Sequence, residues 1–153
     1  MREVERLINR YSESHQNRTN VLIHAIAVPS IYFVTIGLVW LIPVPAFIAA
    51  MNITWAHILA VPVLMYYFKL SGAMGAAMTL LTIGVFVGLV ALANAGINVL
   101  YFCIALFVFM WVIQFVGHKI EGKQPSFLED LRYLLVGPMW WWVHWFKRAN
   151  IQY

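Results

Sequence analysis

The sequence predicts an all-α integral membrane protein, a four-helix bundle with interfacial amphipathic helices at both termini. Three observations lead there. Of 153 residues 63% are hydrophobic and only 10% charged, against about 25% charged in an ordinary soluble domain. Four stretches approach the ~20 apolar residues that a transmembrane helix needs. All ten Lys and Arg fall on one side of a four-span arrangement, as the bias of basic residues toward cytoplasmic loops requires.

The elements follow in order. Val4, Leu7, Ile8 and Tyr11 recur at three- and four-residue intervals among Arg2, Glu3, Glu5, Arg6 and Arg10, the pattern of an amphipathic helix lying at the interface over residues 2–14. Thr19 or Asn20 can cap the first span, satisfying amides that would otherwise enter lipid unpaired. The spans are placed at Val21 to Leu41, Ala46 to Phe68, Gly72 to Ala93 and Ile97 to Gly117. Asn52 and His57 interrupt the second, where a re-entrant hairpin would equally keep both termini on one face. Pro125 restarts the chain, and Ser126 to Val136 reads as a second interfacial helix within a C-terminal interfacial segment at 125–150. Met139, Trp140, Trp141 and Trp142 read as an aromatic membrane anchor.

No Gly/Ser/Pro-rich linker and no internal repeat divides the chain, so one domain over 1–153 is expected, and small bundles of this kind often form homo-oligomers. The polar, mixed-charge segment ahead of the first apolar run predicts that this run is a retained span rather than a signal peptide. The single Cys103 excludes an internal disulfide framework. A net charge of +4 could suggest nucleic acid, but the basic residues sit at the ends of apolar runs rather than along one soluble face. The charge is read as topology, with both termini cytoplasmic in a bacterial inner membrane or an endoplasmic reticulum.

Histidines bracket the apolar body. His15 and His24 stand where it begins, and His118, Glu121 and His144 where it ends; between His24 and His118 the one formal charge is Lys69. An even number of crossings brings both brackets to one face. Ionisable groups bordering a bilayer are costly and mark functional sites often enough to make that the default hypothesis. His15 and His24 are nine residues apart, on opposite sides of a continuous helix at ~100° per residue, so they converge only if the chain breaks between them; Asn17 to Asn20 supplies a break. His118 and Glu121 are three apart, neighbours on a helical face. Imidazole and carboxylate together suit iron, zinc or manganese, and two histidines with one carboxylate and open positions is the arrangement of non-haem Fe(II) oxygenases. A simpler role is open to the same residues, with His24 and His118 hydrogen-bonded between helices and His15 and His144 solvated. His57 is read as a packed polar residue.

Two segments carry a resemblance. Tyr11, His15, Asn20, His24 and Pro29 in order, and Trp111, Gln114, Phe115, Gly117, His118, Glu121 and Pro125 in order, resemble the two signatures of the Mpo-type 2-hydroxy fatty acid dioxygenases, over essentially the whole chain. The family pattern has one more residue between the Gly-His pair and the glutamate, and an acid near the position of His144. The resemblance implies a multi-pass membrane enzyme that uses Fe(2+) and O2 for α-oxidation of a 2-hydroxy fatty acid to an acid one carbon shorter. It implies His15, His24 and His118 as ligands, with Glu121 and His144 as further ligands or as catalytic partners that orient the imidazoles. Arg18, Lys119 and Lys123 would neutralise the substrate carboxylate. No nucleotide-binding glycine motif or haem-attachment sequence indicates an organic cofactor. Readings from other classes are a small transporter or channel, with Asn52, His57 and Lys69 along its pathway, and a non-enzymatic metal- or haem-binding membrane protein.

Overall fold

A computed structural model describes residues 2–125 and 132–153. They form seven helices and no strand: α1 Glu3–Ser12, α2 Arg18–Trp40, α3 Ala46–Ala49, α4 Trp55–Leu70, α5 Gly72–Asn94, α6 Val99–Glu121 and α7 Tyr133–Arg148.

Three of these, α2, α5 and α6, are long and apolar enough to cross a membrane, while α4 is apolar but only 16 residues long. Little of their apolar surface is covered by the protein itself; for α6 only 17% of the most apolar window is buried. In water, exposed patches of this extent are avoided, so the surroundings that fit these helices are lipid. The expected second span is not one helix. Its first part is the short α3, and the chain then turns through Asn52, which adopts the left-handed conformation at φ 55. It restarts at Thr54, whose hydroxyl and the His57 ring close an N-terminal box on α4. An asparagine tolerates that backbone where most side chains do not, and the box satisfies helix amides that apolar surroundings cannot.

Side chains bind the long helices into a layered set. α2 packs along α6, and α4 along α5. At Gly37 a Cβ would fall 2.6 Å from Cys103 Sγ and 2.9 Å from Leu89, so the absent side chain is what lets α2 approach α5 and α6 this closely. The Tyr32 hydroxyl meets Thr82 Oγ1 at 2.7 Å, joining α2 to α5. A small cluster of Val34, Val85, Leu89, Val99 and Cys103 fills one end of the set.

The other end is closed by the first and last helices. Val4, Leu7, Ile8 and Tyr11 of α1 are buried against Val136, Met139, Trp140, Val143 and Phe146 of α7. Tyr67, Met74 and Met78, flanking the α4–α5 junction, belong to the same cluster, and the Tyr67 hydroxyl donates to the Leu135 carbonyl at 2.9 Å. The start of α2, the end of α4, the start of α5 and the end of α6 therefore share one end with α1 and α7. Ser126 to Leu131 of the expected second interfacial helix lie outside the described residues; Arg132 precedes α7, which starts at Tyr133. The tryptophan tract differs from a simple anchor. Trp140 is buried, and the Trp141 indole donates to the Ala25 carbonyl at 3.0 Å, so both side chains are used to dock α7 onto the other helices.

Candidate metal centre

His15 lies in the turn between α1 and α2. α1 stops at Ser12, and α2 is restarted by Asn17, whose Oδ1 accepts from the Thr19 amide at 2.9 Å. The cap is thus Asn17 rather than Thr19 or Asn20. The turn folds the His15 ring back over α1, stacked on Tyr11 at 4.2 Å between centroids and 13° between planes. His15 Nδ1 sits 2.7 Å from the Tyr11 carbonyl. His24, one turn further along α2 than Asn20, places Nδ1 3.0 Å from the Asn20 carbonyl. A carbonyl can only accept, so both rings carry their proton on Nδ1 and present Nε2 as a lone pair. His118 of α6 closes the group, with its Nε2 3.2 Å from His24 Nε2.

All three side chains are buried, His24 completely. Ring centroids are 4.3 Å apart for His15 and His24, 4.7 Å for His24 and His118 and 5.2 Å for His15 and His118, with planes 75–81° apart. One nitrogen from each lies within 4.8 Å of the others, and among the described residues this is the group that could hold a metal ion. Elementary geometry tests the fit. An ion ~2.1 Å from two imidazole nitrogens separates them by about 3.0 Å at a right angle and about 3.4 Å at the tetrahedral angle; the His24 to His118 separation lies between. The alternative is a proton on His118 Nε2 donated to His24. That leaves His15 Nε2, buried and without a hydrogen-bond partner, as a desolvated lone pair costing about 1–3 kcal/mol. A cation among the three nitrogens satisfies it. Burial is the main reason the His15 pKa is pushed down to about 4, which keeps that ring neutral and able to ligate at neutral pH.

Glu121, the last residue of α6, does something else. Its carboxylate accepts from the Gln16 amide at 2.8 Å, the Asn17 amide at 2.9 Å and Asn20 Nδ2 at 3.0 Å. It clamps the turn that carries His15 and is not in the histidine group. Asn20 also donates to the Ser14 carbonyl at 3.1 Å, so one amide ties both sides of the turn to α6. Gly117 makes room for it, since a Cβ there would overlap Asn20 Oδ1. Lys123 Nζ reaches the Glu13 carbonyl at 2.7 Å and braces the same turn. Arg18 and Lys119 are exposed near this end. His144 is exposed, with its ring against Trp140 at 4.6 Å and Nδ1 3.1 Å from the Trp140 carbonyl. Trp140 in turn lies against His15 at 5.2 Å and donates to Ser12 Oγ at 3.1 Å. His144 is thus one aromatic ring removed from the cluster. His57 is at the far end, half-buried and stacked on Phe86 at 4.2 Å.

The sequence alone did not single out Trp140 or Asn20 as supports of the site. A run of tryptophans reads as an interfacial belt and an asparagine near a helix start reads as a cap, and nothing local distinguishes these roles from the ones observed.

Beside the cluster opens a cavity of about 470 Å³, with His118, Gln114 and Tyr11 at one end and Val39, Ala56 and Phe107 in its far walls. A family model described as "2-hydroxy-palmitic acid dioxygenase Mpo1-like" matches residues 1–76 and 75–149. The chain belongs to the Mpo1-like family. Comparison with curated proteins and with solved structures gives no match. In this Mpo1-like chain the two matched segments meet at the centre, His15 and His24 coming from the first and His118 from the second.

Proposed function

We propose that this Mpo1-like protein is an Fe(II)-dependent dioxygenase that α-oxidises 2-hydroxy fatty acids to acids one carbon shorter. The observation that carries the reading is the convergence of three buried imidazoles, of which His118 lines one end of an apolar cavity, in a chain whose family description names that substrate class. His15, His24 and His118 hold the ion. Bound there, iron supplies redox chemistry toward O2 and a seat for the hydroxyl and carboxylate of a 2-hydroxy acid, with three protein nitrogens leaving coordination positions open.

The rest of the work falls to the chain. Tyr11 and Asn20 carbonyls fix two imidazole tautomers, as orienting partners of ligating histidines do. Glu121 and Lys123 hold the His15 turn to α6, His144 supports it through Trp140, and Arg18 and Lys119 draw the substrate carboxylate toward this end. One O2 per hydroxy acid balances as the shortened acid, carbon dioxide and water, so no further reductant is needed. The bias of basic residues toward cytoplasmic loops supports a cytoplasmic location for this end and for both termini.

Purified protein tests this. Iron near one per chain and oxygen uptake with 2-hydroxypalmitate, giving pentadecanoic acid, are expected. His15→Ala, His24→Ala and His118→Ala should each lose iron and turnover while remaining membrane-inserted. Full iron content in all three variants would show that the ion is held elsewhere, and oxygen uptake without a shortened acid would refute the reaction.

A further inference from the structure

The cavity beside His118 has a direction. On α6 its wall is formed by Phe107, Trp111, Gln114 and His118, spaced three or four residues apart and so on one face of the helix. On α2 it runs from Val28 to Val39, eleven steps of ~1.5 Å, or about 16 Å. That is close to half of the ~30 Å hydrocarbon thickness of a bilayer, the depth one leaflet's acyl chains occupy. The polar groups gather at the histidine end. Gln114, one turn before His118, is buried with its amide oxygen unpartnered. Beyond it the walls are apolar apart from Thr35 and Tyr32, and the Tyr32 hydroxyl is occupied by Thr82. At the far end two small side chains, Ala56 and Ala60, stand one turn apart on one face of α4.

We infer that this cavity seats the acyl chain of a free 2-hydroxy fatty acid, its head at Gln114 and His118, and that Ala56 and Ala60 set the longest chain accepted. The inference rests on the proposed reaction for the identity of the head group. The geometry supplies the rest: an apolar slot of acyl length, continuous with the candidate metal centre and ending on residues that leave space because they carry only a methyl. An acyl tail buried there gains free energy with every methylene relative to water, but little relative to lipid. Selectivity for length must therefore come from the steric end of the slot rather than from burial.

A 2-hydroxypalmitate carrying a diazirine at its ω end, photolysed with the full-length protein in phosphatidylcholine nanodiscs, tests the placement without needing turnover. Adducts are expected on residues 55–63 and 36–40, lost on adding excess unlabelled 2-hydroxypalmitate. Adducts on lipid-facing positions such as Leu80 and Val108, not displaced by the acid, would overturn the inference. So would stronger labelling of 55–63 by a diazirine phosphatidylcholine, which would make the slot a phospholipid site. Ala56→Phe and Ala60→Phe should then shift the ratio of kcat/KM for 2-hydroxypalmitate over 2-hydroxydecanoate at least tenfold toward the shorter acid, with iron content retained; an unchanged ratio refutes the length role. Displaceable adducts in a protein that takes up no oxygen would support the slot and sink the reaction. Turnover without displaceable adducts would do the reverse.

Discussion

Replacing Glu121 by Gln changes little in shape and much in the turn that carries His15. The carboxylate serves three donors at 2.8–3.0 Å, from Gln16, Asn17 and Asn20. A hydrogen bond to a charged group contributes about 1.5–3 kcal/mol and a neutral one about 0.5–1.5 kcal/mol. The amide has one acceptor oxygen and sets an NH2 against at least one N–H, so a donor loses its partner and the other two lose charge assistance. Glu121 is half-exposed and water recovers part of this, which brings the expected cost to about 2 kcal/mol. If the whole of it falls on the placement of His15, metal affinity drops about 30-fold. Chelator competition on purified wild-type and Glu121→Gln protein measures that drop, and saturating Fe(II) should restore most turnover because all three imidazoles remain. Unchanged affinity would refute the clamp. A variant that binds iron like wild type yet stays inactive would make Glu121 a catalytic group instead.

Other outcomes follow from the same geometry. Gly117→Ala puts a methyl where Asn20 Oδ1 sits, an overpacking cost of about 1–3 kcal/mol; thermal melting should fall and iron affinity with it, and a wild-type Tm would show that Asn20 has room to move. His144→Ala should keep iron content within twofold of wild type, since Trp140 stands between that ring and His15; loss of stoichiometric iron on elemental analysis would return His144 to the ligand set. Cysteines introduced at positions 2, 70 and 150 should all label from the same membrane face, and opposite labelling of the terminal pair would separate the histidine brackets.

Much of this architecture was legible in the sequence, for physical reasons that also explain the exceptions. α5 matches its expected span to within a residue because Ser71 and Gly96 punctuate an uninterrupted apolar run. The second span failed because hydropathy averages over Asn52 and Thr54, whereas the backbone responds to where amides can be satisfied, and the box that restarts α4 uses His57 in place of the customary Glu or Gln. The convergence of His15, His24 and His118 was legible in part, because the break before Asn17 lets the His15 ring meet His24 and α2 and α6 bring His24 and His118 to one end of the helix set. Glu121 shows the limit of helical-face reasoning. Its spacing from His118 identifies a neighbour, but a flexible carboxylate turns toward whichever donors are unpaired, and the amides of a helix start are such donors. Trp140 was hidden for a different reason: its partners, Ser12 and His15, are more than a hundred residues away.

That α1 packs on α7 has a bearing on how the protein comes into being. Ribosomes deliver α1 before α7, so the surface that holds Tyr11 and His15 in place does not exist until α7 has been made. A nascent chain stopped after α6 already carries all three imidazoles but lacks Trp140 and the rest of the α7 face. Under the proposed function such a half-made chain is a poorer host for the ion, and the site gains its full support only once α1 and α7 have met.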